Sequence, residues 1–293
     1  MSLSPRVVLV HRRTEYEELI RRHGTRGQAA FFLSTRGRDL AELEDRHHLT
    51  SQALQRVADA IPVQWRRGTV ERQDIARFLF APDDIVVVVG QDGLVANVAK
   101  YLDGQPVIGI DPEPGRNAGA LVTHAPAEAA ELLRSTGSVE ERVMVQAVLD
   151  DGQRLLALNE IYIGHASHQT ARYQLTAPGA DTELQASSSG LIVATGTGAT
   201  GWCRSVALER HSQLAMPTPC EHRLLWFVRE AWPSPATGTT ITEGQLSEQP
   251  LALVVESDRL VAFGDGIEPD TISLTWGQTI EIGVAKQRLR LVR

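Results

Sequence analysis

Ile85-Val86-Val87-Val88-Val89-Gly90-Gln91-Asp92-Gly93 is the stretch that decides the fold of the first part of the chain. Five consecutive β-branched residues predict a central parallel strand that is buried on both faces. A glycine-containing turn follows, after which residues 94–102 are typical of a helix and residues 106–110 of the next strand. Strand, turn, helix and strand in this order form a βαβ unit. Ligands bind such sheets at the carboxyl ends of the strands, which is where Gly90 to Gly93 fall.

Upstream of this unit, the apolar pattern predicts further elements of an open sheet. It predicts strands at residues 6–10, 29–33 and 63–65, and helices at residues 16–23, 40–61 and 72–79. A further helix at residues 127–134 closes the region, and residues 135–138 are typical of a linker. Residues 1–137 are therefore predicted to form an open α/β, Rossmann-like domain that binds a nucleotide.

The pattern changes after the linker to short alternating runs that turn residues separate, as in a layered all-β domain. We predict strands at residues 141–149, 154–158, 160–163, 171–175, 190–194, 224–228, 251–256, 260–263, 279–284 and 288–292, with one helix at residues 200–211. Residues 138–293 are therefore predicted to form a β-sandwich-like domain.

The composition argues against several classes of partner. The formal net charge of −7 gives no sign of the basic face that binding to nucleic acid requires. Cys203 and Cys220 lack a CxxC spacing, which favours free thiols in a reducing cytosol. The longest strongly apolar run, residues 85–89, is too short to span a bilayer, and the first residues lack the apolar core of a signal peptide. We therefore expect a cytoplasmic protein that binds neither nucleic acid nor a membrane.

The turn after the central strand carries the first motif with chemical potential. Glycines here let a backbone approach a phosphate or ribose closely, and the following helix offers free N–H groups to an anion. The carboxylate of Asp92 could accept a proton from a hydroxyl nucleophile or bind Mg²⁺. Alternatively, Asp92 merely caps the helix at residues 94–102. Neither GxxxxGK[ST] nor GxGxxG is present in this turn.

A second motif, Leu158-Asn159-Glu160-Ile161, lies at a strand junction. An adjacent amide and carboxylate can grip vicinal ribose hydroxyls as a donor and an acceptor. The alternative interpretation is a β-turn asparagine beside a surface glutamate.

The third motif is Ser187-Ser188-Ser189-Gly190-Leu191-Ile192-Val193-Ala194-Thr195-Gly196-Thr197-Gly198-Ala199-Thr200-Gly201-Trp202. It predicts a strand, a loop of alternating threonine and glycine, and the start of a helix. Such a loop exposes backbone N–H groups and hydroxyls to an anionic or polar ligand. A flexible connection is the alternative, and the embedded tryptophan makes it the weaker one.

Together the three motifs resemble the NAD kinase family, part of the superfamily that also contains diacylglycerol and sphingosine kinases. The family pattern is GGDG after a hydrophobic strand, then an NE dipeptide, then DGLxVSTPTGSTAY, and the order and spacing here match from about residue 83 onward. Residues 106–111 are similar to the family's PVLGIN, residues 263–266 to its DG loop and residues 274–282 to its closing strand. The NE dipeptide favours the NAD kinase branch over the lipid kinases.

The resemblance implies a role for each matching residue. Asp92 would be the general base that activates the acceptor hydroxyl, which is the adenosine-ribose 2′-OH if NAD is the substrate. The implied substrate-binding residues are Gly93, Asn159, Glu160, Thr200, Gly201, Trp202 and Ser205, with Trp202 in place of a tyrosine. The implied phosphoryl-donor loop comprises Gly90, Gln91, Thr195, Gly196, Thr197 and Gly198.

The resemblance also implies cofactors and assembly. The family uses ATP with a divalent cation such as Mg²⁺, some members accept polyphosphate, and no residue of this chain is assigned as a metal ligand. The β-rich domain would bind substrate and form a homodimer or homotetramer by analogy.

Several ligand-facing positions depart from the family pattern. Gln91 replaces the second glycine of GGDG, and Leu94 replaces the usual threonine. Ser189 replaces an aspartate that lies near the nicotinamide end in the family. Asp111 replaces the asparagine of GIN, and Gly196 replaces a proline. The acceptor therefore stays open at this point.

Three hypotheses follow from the sequence. The first is an ATP-dependent kinase that phosphorylates NAD or NADH and so makes NADP or NADPH. The second is a kinase of the same fold with another hydroxylated acceptor, such as a sugar, a polyol or a nucleoside. The third is a non-catalytic nucleotide-binding sensor. Asp92, Asn159 and Glu160 argue against the sensor, whereas Gln91 and Leu94 are the reason to keep it as a hypothesis.

Overall fold

The computed structural model describes residues 4–116, 119–232, 238, 240–267 and 270–293. The described part also leaves out the side chains of residues 185–187, which include Ser187 at the start of the third motif. The chain divides into two compact units: residues 1–140 with 290–293, and residues 141–289.

The first unit contains a parallel sheet with helices. Its strands are β1 (Arg6–His11), β2 (Arg66–Glu71), β3 (Asp84–Val89) and β4 (Pro106–Ile110), and its helices are α1 (Glu15–His23), α2 (Arg26–Ser34), α3 (Leu40–Ala60), α4 (Asp92–Ala99) and the short α5 (Ala129–Leu132). The strand order is β2-β1-β3-β4, with every pair parallel. Residues 290 and 291 of the last strand pair with the other side of β4, also in parallel. As predicted, β3 is central and buried along its whole length.

The helices of this unit begin and end where local chemistry dictates. Thr14 and Glu17 form a capping box at the start of α1, and Asp39 caps α3 by accepting the N–H of Ala41. Helix α3 stops at Ala60, shortly before Pro62. Its buried face contributes to the same apolar cluster as strands β1, β3 and β4.

Two predicted strands of this unit are wrong. Residues 29–33 belong to helix α2, because Thr25 caps it and the buried Ala29 and Leu33 lie one helical turn apart. Residues 63–65 form a turn in which Val63 is 93% exposed, and strand β2 begins at Arg66 instead. A short apolar run without a period does not distinguish a strand from one face of a helix.

The second unit consists of two antiparallel layers. Among the described residues, the remaining strands are β5 (Val139–Leu149), β6 (Arg154–Ala157), β7 (Glu160–His165), β8 (Ala171–Thr176), β9 (Glu183–Ser188), β10 (Gly190–Ala194), β11 (Leu224–Arg229), β12 (Glu243–Leu246), β13 (Leu251–Val255), β14 (Leu260–Gly264), β15 (Ile272–Leu274) and β16 (Thr279–Val292), and the helix is α6 (Trp202–Glu209). The first two residues of β5 and the last three of β16 belong to the first unit. One layer has the order β12-β11-β10-β7-β14-β15, and the other includes β16-β13-β8-β9. The two strands predicted at residues 279–284 and 288–292 are one continuous strand, β16.

The inner faces of these layers share one large apolar core, in which Tyr173, Trp226 and Leu253 are buried together. Facing sheets with alternating buried residues are the architecture of a β-sandwich. The predicted fold class, an α/β part followed by a β-sandwich-like part, is therefore confirmed. Among the described residues, no helix combines the length and the apolar character that crossing a membrane requires.

Candidate functional site

The turn between β3 and α4 presents an open backbone at the carboxyl end of the central strand. Helix α4 begins at Asp92, two residues earlier than predicted, and Gln91 stands at its N-cap without a capping side-chain bond. Gln91 and Gly93 are exposed, and a Cβ added to Gly93 would meet no atom within 4 Å. A polar ligand can therefore approach the first turn of the helix closely.

Three backbone N–H groups hold the carboxylate of Asp92 in place. Its Oδ2 accepts the N–H of Ala120 at 2.7 Å, and its Oδ1 accepts those of Leu121 and Val122, both at 2.9 Å. The alternative in which Asp92 merely caps its own helix is therefore wrong, because the side chain makes no cap bond and reaches a distant segment. A carboxylate has about four acceptor positions, so about one remains free on Oδ2 for a further donor.

Two glycines allow the segment at residues 119–122 to lie close to the carboxylate of Asp92 and to strand β4. A Cβ at Gly119 would lie 2.6 Å from the carbonyl oxygen of Val122 and 3.2 Å from Oδ1 of Asp92. A Cβ at Gly109, within β4, would lie 2.0 Å from the carbonyl oxygen of Leu121. The sequence interpretation assigned no role to either glycine, although a glycine inside a strand often marks a close backbone approach.

In the second unit, Asp265 organises the backbone around the NE dipeptide. Its Oδ1 accepts the N–H of Asn159 at 2.6 Å and its Oδ2 accepts the N–H of Leu158 at 3.0 Å. The N–H of Asp265 donates to the carbonyl of Glu160 at 3.1 Å. Asp265 was noted only within the similar DG loop, and its contact with residues 106 and 107 positions earlier could not be seen locally.

Glu160 is partly buried, which argues against the alternative of a surface glutamate. Burial raises the pKa of its carboxyl to about 7, and the negative charge of Asp265 adds to this effect. Near neutral pH, Glu160 therefore exists as a mixture of protonated and ionised forms. It can donate or accept a hydrogen bond when a hydroxylated ligand binds.

The loop after β10 packs directly against the NE dipeptide. The N–H of Thr195 donates to the carbonyl of Asn159 at 2.9 Å, and its hydroxyl donates to the carbonyl of Leu158 at 2.5 Å. The same hydroxyl accepts the N–H groups of Thr197 at 3.1 Å and Gly198 at 3.3 Å. These bonds occupy the side chain of Thr195, which therefore holds the loop together.

Glycines 196 and 198 are required by close backbone contacts. A Cβ at Gly198 would lie 2.2 Å from the carbonyl oxygen of Asn159, and one at Gly196 would lie 2.1 Å from that of Thr218. Thr197, between them, has a buried hydroxyl that is without a hydrogen-bond partner among the described residues. That hydroxyl is the group of this loop best able to bind a ligand.

The residues that follow the loop differ in exposure. Thr200, Gly201 and Ser205 are exposed, and the hydroxyl of Thr200 donates to the carbonyl of Thr197 at 3.1 Å. Trp202 begins helix α6 and is partly buried.

Trp202 belongs to an aromatic cluster that also contains an arginine. Its ring stacks on that of Tyr162 with centroids 5.4 Å apart, and the guanidinium carbon of Arg229 lies 4.8 Å from the centre of the Trp202 ring. The Tyr162 hydroxyl donates to the carbonyl of Ser189 at 2.6 Å. Burial raises the pKa of Tyr162, and the charge of Arg229 partly opposes that effect.

The structure therefore brings some of the predicted residues together. Asn159, Thr195 and Gly198 are in direct contact in the second unit. Gly90, Gln91, Asp92 and Gly93 lie in the first unit. The predicted donor loop thus draws its residues from both units. Across the described part of the chain, no cluster of three or more His, Cys, Asp or Glu side chains is placed to hold a metal ion.

Comparison with known proteins supports the fold and shows which proteins the chain is similar to. No family model matches the chain. A crystal structure of an NAD kinase from Archaeoglobus fulgidus in complex with ATP superposes with a TM-score of 0.55 at 18% identity, covering 98% of this chain and 93% of that one. The fold is therefore that of this kinase structure.

Proteins with similar sequences are also named NAD kinases. NAD kinase 2, mitochondrial, of Rattus norvegicus is 26% identical over 251 residues, covering 67% of this chain and 59% of that protein. Its Homo sapiens counterpart is 26% identical over 255 residues, with shares of 67% and 57%. An NAD kinase of Heliobacterium modesticaldum is 29% identical over 152 residues, with shares of 46% and 52%. The matches thus span between about half and three fifths of these relatives.

The recognition predicted from the motifs, a resemblance to the NAD kinase family, is confirmed: in sequence and in fold the chain is similar to proteins named NAD kinase.

Proposed function

We propose that this protein transfers the γ-phosphoryl group of ATP to the 2′-hydroxyl of the adenosine ribose of NAD or NADH. The observation that carries the proposal is the carboxylate of Asp92, which three N–H groups fix at the end of the central strand and which keeps an acceptor position free. The names of the similar proteins support the same reaction.

In this proposal, each group has a defined part. Asp92 accepts the proton of the 2′-hydroxyl as the hydroxyl oxygen bonds to the γ-phosphorus, and the bond between that phosphorus and the β–γ bridging oxygen breaks to release ADP. Asn159 and Glu160 hold the ribose of the acceptor, since one offers an amide and the other a carboxyl that can change protonation state near neutral pH. By resemblance, the nicotinamide end of the acceptor lies near Ser189.

The use of ATP is supported by the similar kinase structure from Archaeoglobus fulgidus, which is a complex with ATP. The open backbone at Gly93 suits a polyanionic ligand. The hydroxyl of Thr197, which has no hydrogen-bond partner among the described residues, is likewise able to bind a polar group. Mg²⁺ commonly reaches such sites on the donor's phosphates with few protein ligands. A cytoplasmic location and a homodimer or homotetramer remain predictions.

Purified protein with Mg·ATP would be incubated with NAD, NADH and a panel of sugars, polyols and nucleosides, and the products identified by mass spectrometry. We expect NADP or NADPH from the wild type and at least about a hundredfold less from Asp92→Asn, a typical loss for a removed general base. Turnover only on another acceptor, or nucleotide binding without any turnover, would contradict the proposal.

A further inference from the structure

Helices α1 and α2 of the first unit line an open cavity of about 580 Å³, which the proposed kinase reaction does not use. This volume lies within the range of about 300–1,000 Å³ that is typical of small-molecule sites. The wall comes from the end of α1, one side of α2 and the turn after it, and it includes Arg22, His23, Gln28, Phe31, Phe32 and Arg36. We propose that this cavity binds a nucleotide, whose base stacks on Phe31 and whose phosphates meet Arg22 and Arg36.

Helix α2 leaves an aromatic ring open to solvent on this side. Its buried residues are Ala29 and Leu33, whereas Phe31 is 72% exposed. Gly27 lies one helical turn before Phe31, and a Cβ added to Gly27 would meet no atom within 4 Å. A flat ring can therefore lie against Phe31 over the space that Gly27 leaves free. A single exposed phenylalanine is ordinary, so the type of ligand depends on the charged groups beside it.

The Arg36 guanidinium is held in place with hydrogen-bond donors to spare. Its central carbon lies 3.8 Å from the centre of the Phe32 ring. Its Nη1 donates to the carbonyl of Phe32 at 3.0 Å and to the hydroxyl of Thr35 at 3.1 Å. Within the described part of the chain, its Nε and Nη2 have no partner. A fixed guanidinium with free N–H groups is well suited to bind a phosphate.

The charge of the cavity wall is positive. Its lining residues include Arg22 and Arg36 and no aspartate or glutamate. Among the described residues, Arg22 has no ion-pair partner. Helix α2 carries no acidic residue, and the three glutamates of α1 lie in its first turn, at the opposite end from Arg22. Of these three, Glu18 is one turn from Arg22, and it lies 3.8 Å from Arg12.

Helix α3, which also packs against α1 and α2, contributes no carboxylate to the wall. Its Glu44 pairs with Arg26 at 2.6 Å instead. Water and salt still screen exposed guanidinium groups, so Arg22 and Arg36 alone should hold a free phosphate only weakly. Stacking of a base on Phe31 adds an attraction that salt does not screen. The combination therefore favours a nucleotide over inorganic phosphate.

The ring of His23 provides a further polar group in the wall. It lies against Phe32 with centroids 4.4 Å apart. Its Nε2 is buried and has no hydrogen-bond partner among the described residues. A buried polar atom in this state costs free energy. A small turn of the ring toward the cavity would let Nε2 bond to a polar atom of the ligand, which favours binding.

The test measures hydrogen exchange by mass spectrometry in the full chain, titrated separately with ADP, adenosine and inorganic phosphate. We expect ADP to slow exchange at residues 22–36, and adenosine or phosphate to need at least about tenfold higher concentration for the same effect. Arg36→Gln and Phe31→Leu should each raise the ADP concentration for half-protection by about tenfold. Arg21→Gln is the matched control, because Arg21 is exposed on the same helix but does not line the cavity.

The measurement needs no turnover, so its result is independent of the kinase proposal. Protection at residues 90–94 reports ADP at the Asp92 turn and should persist in all three variants. Unchanged exchange at residues 22–36 with millimolar ADP would overturn the inference. It would also be overturned by protection that survives in Arg36→Gln and Phe31→Leu, by an equal loss in Arg21→Gln, or by phosphate that protects as well as ADP. Melting curves verify that each variant is folded.

Discussion

The carboxylate of Asp265 accepts the backbone N–H of Asn159 at 2.6 Å and thereby fixes the start of strand β7. Asp265 itself adopts a positive φ of 55°, a conformation that aspartate tolerates better than most residues. The carboxylate also receives the N–H of Leu158. A residue far later in the chain thus fixes the backbone that carries the amide and carboxyl of the NE dipeptide.

Removing this support should weaken acceptor binding. We expect Asp265→Ala to raise KM for the dinucleotide about tenfold and to lower the free energy of unfolding by about 1–3 kcal/mol, because two N–H groups lose their acceptor. Steady-state kinetics and urea unfolding measure the two effects. Asp258→Ala, at an exposed position of the same unit, is the control and should change neither. An Asp265→Ala variant with wild-type KM would show that the contact does not position the dipeptide.

Glu160 should make the stability depend on pH. Its pKa is about 7 in the folded protein against 4.5 for an unperturbed carboxyl. The folded state therefore holds the proton more tightly, so stability should fall as the pH rises from about 4.5 to 7 and then level off. The total change is at most about 3 kcal/mol for this group.

Replacing Glu160 by glutamine removes the ionised form. Glu160→Gln should therefore melt at a higher temperature than the wild type above pH 7 and show little difference at pH 5, as followed by circular dichroism. Glu248→Gln, whose side chain is 86% exposed in the wild type, serves as the control and should keep the wild-type profile. A Glu160→Gln profile parallel to that of the wild type would rule out this carboxyl as the source.

Asp92 should contribute to stability as well as to chemistry. Asp92→Asn replaces one acceptor oxygen by an NH₂ group that faces backbone donors, so we expect a loss of about 1–3 kcal/mol in the free energy of unfolding. Hydrogen exchange at the amides of residues 120–122 should accelerate, and mass spectrometry can follow it. Asp45→Asn, at an exposed helical position, should leave both quantities unchanged. Unaltered exchange in Asp92→Asn would argue against the three hydrogen bonds.

The loop after β10 should not tolerate a side chain at Gly198. The added methyl group would lie 2.2 Å from the carbonyl oxygen of Asn159, so Gly198→Ala must displace the loop or the dipeptide. We expect a destabilisation of about 1–3 kcal/mol together with weaker acceptor binding. Gly283→Ala is the matched control, because its methyl group would meet Pro250 at an ordinary 3.6 Å. Equal stability of the two variants would contradict the close contact.

The sequence predicted the local elements of the site better than the contacts between them. Strand β3 and its turn could be predicted, because a run of β-branched residues followed by glycine is typical of a buried parallel strand and its turn. Residues 29–33 were misread, because a short apolar run suits a strand and a buried helix face equally. The sequence could not predict the hydrogen bonds of Asp265 to the NE dipeptide or those of Asp92 to residues 120–122. These bonds join segments that only the fold brings together.

The central claim is that Asp92 activates a dinucleotide hydroxyl for phosphoryl transfer. Its most direct test uses ATP labelled in the γ-phosphate with NADH and with NAD, and measures the label recovered in NADPH and NADP for the wild type and for Asp92→Asn. We predict transfer to the 2′-position by the wild type and near-complete loss in a folded Asp92→Asn variant. Wild-type protein that leaves both dinucleotides unlabelled, or Asp92→Asn that transfers at the wild-type rate, would contradict the claim.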